Sequence, residues 1–262
     1  MANKFYAPGE QRAARVNALF DTIAGRYDLV NDLQSFGLHR YWKRRLVRLA
    51  VNSSRCGTAA NRSTDEKFPQ RTQQALDLCC GTGDVAFALA RSGMDVAGLD
   101  FSEPMLAVAG QRIRRACDAT GTGVHAVRLL RGDAQRIPFP DEIFDLVTIS
   151  YGLRNLASLE TGLREMRRVL RPSGRAIILD FGKPENRLWR AIYFGYLQGF
   201  VPLLGRLFCG DADTHGYILE SLKGYAAQKG VADKMRELNF EEVSIVNLMG
   251  GIMSINYGQR PA

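Results

Sequence analysis

From residue 75 onward, short apolar runs alternate with stretches whose apolar residues recur every three or four positions. The runs at 75–80, 94–99, 126–131, 143–150 and 175–181 predict strands. The amphipathic stretches at 84–92, 103–117 and 158–170 predict helices. Arg171-Pro-Ser-Gly174 predicts a turn where Pro and Gly stop the third helix. The alternation predicts an α/β fold with a mostly parallel sheet and helices on both faces. Glu242–Leu248 and Ile252–Tyr257, parted by Met249-Gly-Gly251, predict an antiparallel hairpin at the sheet edge. Ligands of such sheets bind beyond the carboxyl ends of the strands. The loops after Cys80, Leu99, Arg131 and Ser150 are therefore expected to line one crevice.

The chain before residue 75 has a different pattern. Val16, Leu19, Phe20 and Ile23 recur at helical spacing, as do Trp42, Leu46 and Leu49. Residues 1–51 read as an N-terminal helical cap. Residues 52–74 carry almost no large apolar side chain, so burial cannot offset their ordering entropy and a flexible linker is expected. The core domain is then 75–262, with an insertion at about 184–230. Within it, Ala191–Phe208 is the most apolar stretch, broken by Gly195, Gly199, Pro202, Gly205 and Arg206. It reads either as a buried, kinked helix pair or as a greasy lid over a lipid-like substrate.

Composition narrows the class without choosing a ligand. The 262 residues, 46% apolar and 24% charged, suit a soluble globular enzyme. The net charge of +8 draws anions: RNA, acidic lipid headgroups or phosphorylated substrates. Five cysteines, an odd number with no C-x-x-C pair, argue for a reducing compartment and against a disulfide framework or zinc site. The first residues lack the apolar core of a signal peptide, and no run of about 20 apolar residues is present, so a cytoplasmic location is expected.

The densest chemistry lies in Ala75-Leu-Asp-Leu-Cys-Cys-Gly-Thr-Gly-Asp84. An apolar strand ends in a Gly-x-Gly turn and enters a helix. Gly81 permits the tight turn, and Gly83 lets a ligand lie against bare backbone. With Ala86 the run reads G-x-G-x-x-A, an accepted nucleotide-binding fingerprint. Asp100 ends the next strand about 20 residues on, the spacing of a carboxylate that accepts from a ribose diol. Downstream, Gly132-Asp-Ala134 and Phe144-Asp-Leu-Val147 separate two adenosine cofactors. Asp133 is placed to accept from an adenine amino group and the Ala134 amide to donate to the ring. No hydride-transfer signature accompanies them. Together these blocks resemble the class I S-adenosylmethionine-dependent methyltransferases, a Rossmann-like fold.

Three further blocks narrow the resemblance. Phe20-Asp-Thr-Ile-Ala-Gly-Arg-Tyr-Asp28 and its continuation to Lys43, Ser150-Tyr-Gly-Leu-Arg-Asn155, and Gly210-Asp-Ala-Asp213 with Tyr217, Glu220 and Ser221 resemble the ubiquinone/menaquinone biosynthesis C-methyltransferases. The resemblance covers about 20–48 and 75–258. It implies S-adenosyl-L-methionine as cofactor and a prenylated quinol as substrate, either demethylmenaquinol or a polyprenyl methoxybenzoquinol. No metal is expected, since the histidines have no ligand pattern, and a homodimer is left open. Cys79-Cys80, His215-Gly216 and the long 52–74 stretch depart from the family pattern.

Residue chemistry suggests candidate roles for a ring methylation. Arg154 stays charged and is the candidate for stabilising a ring oxyanion. Asn155 is the candidate for orienting the hydroxyl or a water, and Tyr27 for completing the relay from the cap. Gly81, Thr82, Gly83, Asp100, Asp133, Ala134 and Ser150 are expected at the cofactor, with Asp77 behind the glycine turn. Asp28, Asn31, Asp32, Asp211 and Asp213 either frame the quinol or serve as solvated caps. His39 is a weaker base candidate, and His125 and His215 have no metal pattern. The basic run Arg40, Lys43, Arg44, Arg45 and Arg48 is either a solvated face or a contact with the inner face of a membrane. Charge alone would also suit an RNA methyltransferase, but no Pro-Pro or Pro-Cys motif loop is present, so no nucleic-acid partner is expected.

Overall fold

The computed structural model describes residues 16, 18–22, 24–60, 71–120, 127–203 and 213–262, and side chains for all of these except 53–60, 117–120 and 213–217. His125, Asp211 and the side chains of Asp213, His215 and Tyr217 therefore lie outside the described residues. Among the described residues seven strands form one sheet: β1 Gln74–Leu78, β2 Asp95–Asp100, β3 Val127–Arg131, β4 Phe144–Ser150, β5 Leu170–Phe181, β6 Glu241–Leu248 and β7 Met253–Gln259. Their order is β3-β2-β1-β4-β5-β7-β6. The first five run parallel, and β7 pairs antiparallel with both β5 and β6. The expected edge hairpin is present. Strand order reverses between β1 and β4, which marks their carboxyl ends as the ligand crevice.

Period-two alternation divides the core between two faces. Leu76, Leu78, Val147, Ile149 and Ile178 point to one face, where Leu163 and Met166 of α5 (Leu159–Val169) and Val231 and Met235 of α8 (Ala227–Glu237) cover them. Ala75, Leu146, Ile177 and Leu179 point to the other. There Val85 and Leu89 of α3 (Asp84–Arg91) and Ala109 of α4 (Glu103–Thr120) meet Trp42, Leu46 and Ala50 of α2 (Leu38–Ala60). The second N-terminal helix is thus built into the sheet's cover. Ahead of it, residues 18–22 are helical, and α1 spans Tyr27–Ser35 and ends at Phe36, whose φ of 50° reverses the chain.

Two local expectations differ from the structure. Helix α2 continues to Ala60, so the first part of the stretch read as linker is helical. Arg171–Gly174 does not end the strand pairing. Leu170 already pairs with Phe144, and pairing resumes at Arg175 opposite Leu146, leaving the Pro-Ser-Gly segment as a bulge within β5. Ser173 takes a φ of 61° there, and its amide is satisfied by the Arg260 carbonyl. A turn-forming sequence can serve as a bulge when the strand regains its partner on the far side.

Candidate active site

The turn after β1 is held from β2. Gly81 N–H donates to Asp100 Oδ2 at 2.7 Å, and Ser102 N–H donates to Asp100 Oδ1 at 2.9 Å. Burial raises the Asp100 carboxyl above its usual range, although these amides favour the ionised form. Gly83 has a φ of 90°, and a Cβ there would lie 2.5 Å from the Phe87 ring. Glycine is therefore required by both backbone and packing. Gly81 differs: its φ is 55°, and a Cβ would meet no protein atom within 4 Å.

An open cleft of about 810 Å³ lies over this turn. It gathers Tyr27, Gly81, Asp100, Asp133, Ala134, Ser150 and Asn155 from the expected residues. Phe20, Leu99, Phe101, Met105 and Leu156 supply apolar walls that sequence reading did not single out. The Asp133 carboxylate accepts from Gln135 N–H at 2.8 Å, which fixes the loop after β3. Bare backbone at Gly81, an acid at the end of β2 and an acid-amide loop after β3 fit an adenosyl amino acid. The first would face its amino-acid end, the second its ribose and the third its adenine.

Other expected residues stand around this cleft. The Thr82 hydroxyl donates to Asp28 Oδ1 at 3.1 Å. Asp77 is buried on the α3 side of β1 and accepts from the Thr148 hydroxyl at 2.7 Å. Burial pushes its carboxyl up to about 7. Arg112 ties the turn to α1: it donates to Asp28 at 3.2 Å, to the Thr82 carbonyl at 3.0 Å and to Asp84 at 2.6 Å. Lys43 of α2 reaches the other Asp84 oxygen at 2.8 Å. Burial alone would raise the Asp84 carboxyl, but Lys43 and Arg112 prevail and hold it at about 2. Periodicity gives no hint of this network, because its members lie up to 84 residues apart.

A second cavity, open to solvent on one side, adjoins the first and shares Phe20, Tyr27 and Tyr151 with it. Its walls are largely apolar. Val30 comes from α1, Trp42 from α2, Phe181 from β5, Trp189, Ile192 and Tyr193 from α6 (Arg187–Gly195), and Tyr196 and Leu197 from the π-turn that follows. The described part of the apolar stretch, residues 191–203, thus contributes chamber wall. Sequence alone cannot separate such residues from core, since both are apolar at helical spacing.

Few charged groups enter this chamber. Arg154 lies in the short 3₁₀ turn Leu153–Asn155 after β4. Its guanidinium donates to Asp180 Oδ1 at 2.7 Å and to the Tyr151 carbonyl at 2.7 Å, and its amide donates to Asp180 Oδ2 at 3.0 Å. It also stands 4.5 Å from the centre of the Phe181 ring. Both members of the pair are buried, and Asp180 was not foreseen as a site residue. His39 is buried, with Nδ1 3.0 Å from Ser35 Oγ; burial, then Lys43, lowers it and leaves it neutral near pH 7. Among the described residues no group of three His, Cys, Asp or Glu side chains is placed to hold a metal ion. No helix among them is long and apolar enough to cross a membrane.

Sheet order, glycine turn and crevice define a class I S-adenosylmethionine-dependent methyltransferase. Solved structures share the fold. An S-adenosylmethionine-dependent methyltransferase from Thermotoga maritima aligns with a TM-score of 0.60 and 17% identity over 93% of this chain and 98% of that one. Phosphoethanolamine N-methyltransferase 2 of Haemonchus contortus, in complex with phosphomonomethylethanolamine and S-adenosylhomocysteine, aligns with a TM-score of 0.55 and 16% identity over 74% of this chain and 50% of that one.

The chain belongs to the ubiE/COQ5 methyltransferase family, whose model matches residues 9–260. The ubiquinone/menaquinone biosynthesis C-methyltransferase of Azotobacter vinelandii is 37% identical over 97% of this chain and 93% of its own length. That of Ectopseudomonas mendocina is 36% identical over 97% and 92%.

Proposed function

We propose that this protein transfers a methyl group from S-adenosyl-L-methionine to a ring carbon of a prenylated quinol in menaquinone or ubiquinone biosynthesis. The observation that carries this reading is the junction at Phe20, Tyr27 and Tyr151, where the cofactor cleft opens onto a large apolar chamber. A nucleic-acid substrate would need a basic groove there, and an apolar chamber suits a greasy ring with its tail.

When bound, the cofactor supplies a methyl group on a sulfonium; the ring carbon takes it, a neutral thioether remains, and the ring then sheds the proton at that carbon. The protein has to raise the carbon's nucleophilicity. A quinol hydroxyl ionises near a phenol's pKa of roughly 10, so the site must favour the phenolate. Arg154 brings a fixed positive charge into the chamber for this, and Asp180 locks the guanidinium's direction. Asn155 lies in the cofactor cleft, with its amide anchored on the Tyr151 carbonyl at 3.1 Å, next to where the ring hydroxyl would lie. Tyr27, set edge-on to Phe20 at 5.8 Å, closes the junction from α1. Apolar enclosure favours a step that neutralises charge, and the walls hold carbon and methyl in line.

Chamber shape also supports a peripheral contact with the membrane that holds such a substrate. Phe36, Ile192 and Met249 line the chamber yet are 71%, 53% and 46% exposed, which places its mouth between α1, α6 and the β6–β7 turn. Phe36 stacks on exposed Phe200 at 6.2 Å, and α6 adds exposed Leu188 along with Arg187 and Arg190. This mouth, more than the basic start of α2, suits a bilayer with anionic headgroups. Arg40 already forms a two-pronged pair with Asp32, and Lys43 is tied to Asp84. Sedimentation with anionic vesicles should carry the protein down and fail for Phe36→Ser/Leu188→Ser. Concentration-dependent dimerisation without vesicle binding would instead mean that a second copy covers the mouth.

The direct test supplies the purified chain with S-adenosylmethionine and, in parallel, a reduced demethylmenaquinone analogue or a polyprenyl methoxybenzoquinol. Ring-methylated product, lost in an Arg154→Ala variant that still binds cofactor, supports the assignment; the faster substrate names the pathway. Cofactor binding with neither quinol turned over would sink it.

A further inference from the structure

Two buried phenol hydroxyls at the chamber have no hydrogen-bond partner among the described residues: Tyr151 OH and Tyr193 OH. Tyr151 borders both cavities and so stands at the point where a methyl group would pass. Tyr193 faces the same chamber from α6. Both lie within electrostatic reach of Arg154 and Asp180. A buried hydroxyl left unpaired is destabilising, and native structures seldom keep one without a water or a ligand to use it. Here both belong to residues that line one apolar chamber together with Arg154.

We propose that the Tyr151 and Tyr193 hydroxyls form a two-donor site for the ionising oxygen of the substrate ring, beside Arg154. This rests on the phenolic-substrate reading above and extends it to the residues that recognise the oxygen. Neutral donors suit the position. Arg154 is already balanced by Asp180, so a further cation would have to be buried unpaired, whereas a phenol brings a strong O–H dipole without net charge. The two hydroxyls remain protonated at any working pH. Burial pushes Tyr151 and Tyr193 above the usual range of tyrosine, so both stay donors while the substrate's hydroxyl gives up its proton. The pair would also confer selectivity. A prenylated hydrocarbon or a ring without the oxygen leaves both donors unsatisfied, and an unpaired buried donor rejects a ligand more strongly than a missing apolar contact does. Each tyrosine comes from a different element, the loop after β4 and helix α6.

The test uses the full chain loaded with S-adenosylhomocysteine, so that no methyl is transferred, and 1-naphthol as probe, with its ionisation read by absorbance. Wild type should bind the probe and lower its apparent pKa. Tyr151→Phe and Tyr193→Phe should each return that pKa by about one unit and the double variant further, since each removes one hydrogen bond to the charged form. Turnover of the quinol should fall on the order of 100-fold per hydroxyl, as for other oxyanion donors, with S-adenosylhomocysteine affinity unchanged and a melting temperature equal to or above that of wild type, because an unpaired buried hydroxyl is removed. Equal probe ionisation in wild type and both variants, or a wild type that binds no naphthol, overturns the proposal. If the tyrosines shift the bound naphthol but no quinol is methylated, the phenol site stands and the quinol assignment fails.

Discussion

Arg154 and Asp180 hold each other at 2.7 Å in a place that water barely reaches, one on the loop after β4 and the other near the end of β5. The pair locks a loop that contributes to both cavities. Breaking it leaves a lone buried charge, which typically destabilises by about 3–5 kcal/mol. Asp180→Ala should therefore lower both unfolding free energy and turnover. Arg154→Met/Asp180→Leu should recover much of the stability in denaturant melts and none of the activity. If the double variant is no more stable than the singles, the pair is not acting as a buried ion pair.

Asp77 and Thr148 are register partners on β1 and β4, so a carboxyl sits in the middle of an otherwise apolar face. Its folded pKa of about 7 lies above the ordinary 3.8. The folded state then binds more protons than the unfolded chain between those values. Stability from this group is full below about pH 4 and is lost as pH rises toward 7. The slope should reach about 1.4 kcal/mol per pH unit at most. Asp77→Asn keeps an acceptor for Thr148 and removes the titration, so its stability should stay flatter over that window. Equal slopes in wild type and variant would refute the assignment.

The two turn glycines should fail in different ways when replaced. Gly83→Ala meets the Phe87 ring and is strained at φ 90°, so a loss of about 1–3 kcal/mol or more is expected in thermal or denaturant melts. Gly83→Ala/Phe87→Leu should recover the clash but not the backbone strain. Gly81→Ala, with φ 55° and open space for its methyl group, should fold with a smaller loss. Because that methyl group would stand in the cofactor cleft, calorimetry should show weakened S-adenosylhomocysteine binding. A fully cofactor-competent Gly81→Ala would move the ligand away from this turn.

The parts legible in sequence are those fixed by local chemistry. Leu76 and Leu78 flanking Asp77 mark a strand, and Gly-x-Gly after it marks a crevice, because strand ends and tight turns follow from neighbouring residues. Asp100 and Asp133 were legible for the same reason, the first closing β2 and the second standing in the loop just after β3. The chamber was not. Its walls run from Phe20 to Ile252, and a lining Trp189 or Leu197 has the same pattern as a core residue. Asp180 looked like an ordinary strand residue until Arg154 was folded against it. The helical run of α2 to Ala60 was also hidden. Trp42, Leu46 and Ala50 anchor its first half on the sheet, so the polar turns beyond needed no apolar stripe to be seen as helix.

Arg112 gives the remaining prediction, because it joins α1, the glycine turn and α3 through Asp28, the Thr82 carbonyl and Asp84. None of these bonds touches the reacting atoms. Arg112 is about a third exposed, so solvent weakens each bond. Together they still help to fix α1, and with it Tyr27 over the cofactor cleft. Arg112→Ala should leave Asp84 with Lys43 as its remaining cationic partner and let α1 swing more freely. The expected result is a cofactor Kd raised roughly three- to tenfold, in line with a loss of about 1 kcal/mol. Melting temperature should change little, since the core on both sheet faces is untouched. Wild-type affinity should also weaken as salt is raised, and the variant's should respond less. An Arg112→Ala protein with wild-type cofactor affinity at low salt would show that the turn holds its shape without α1.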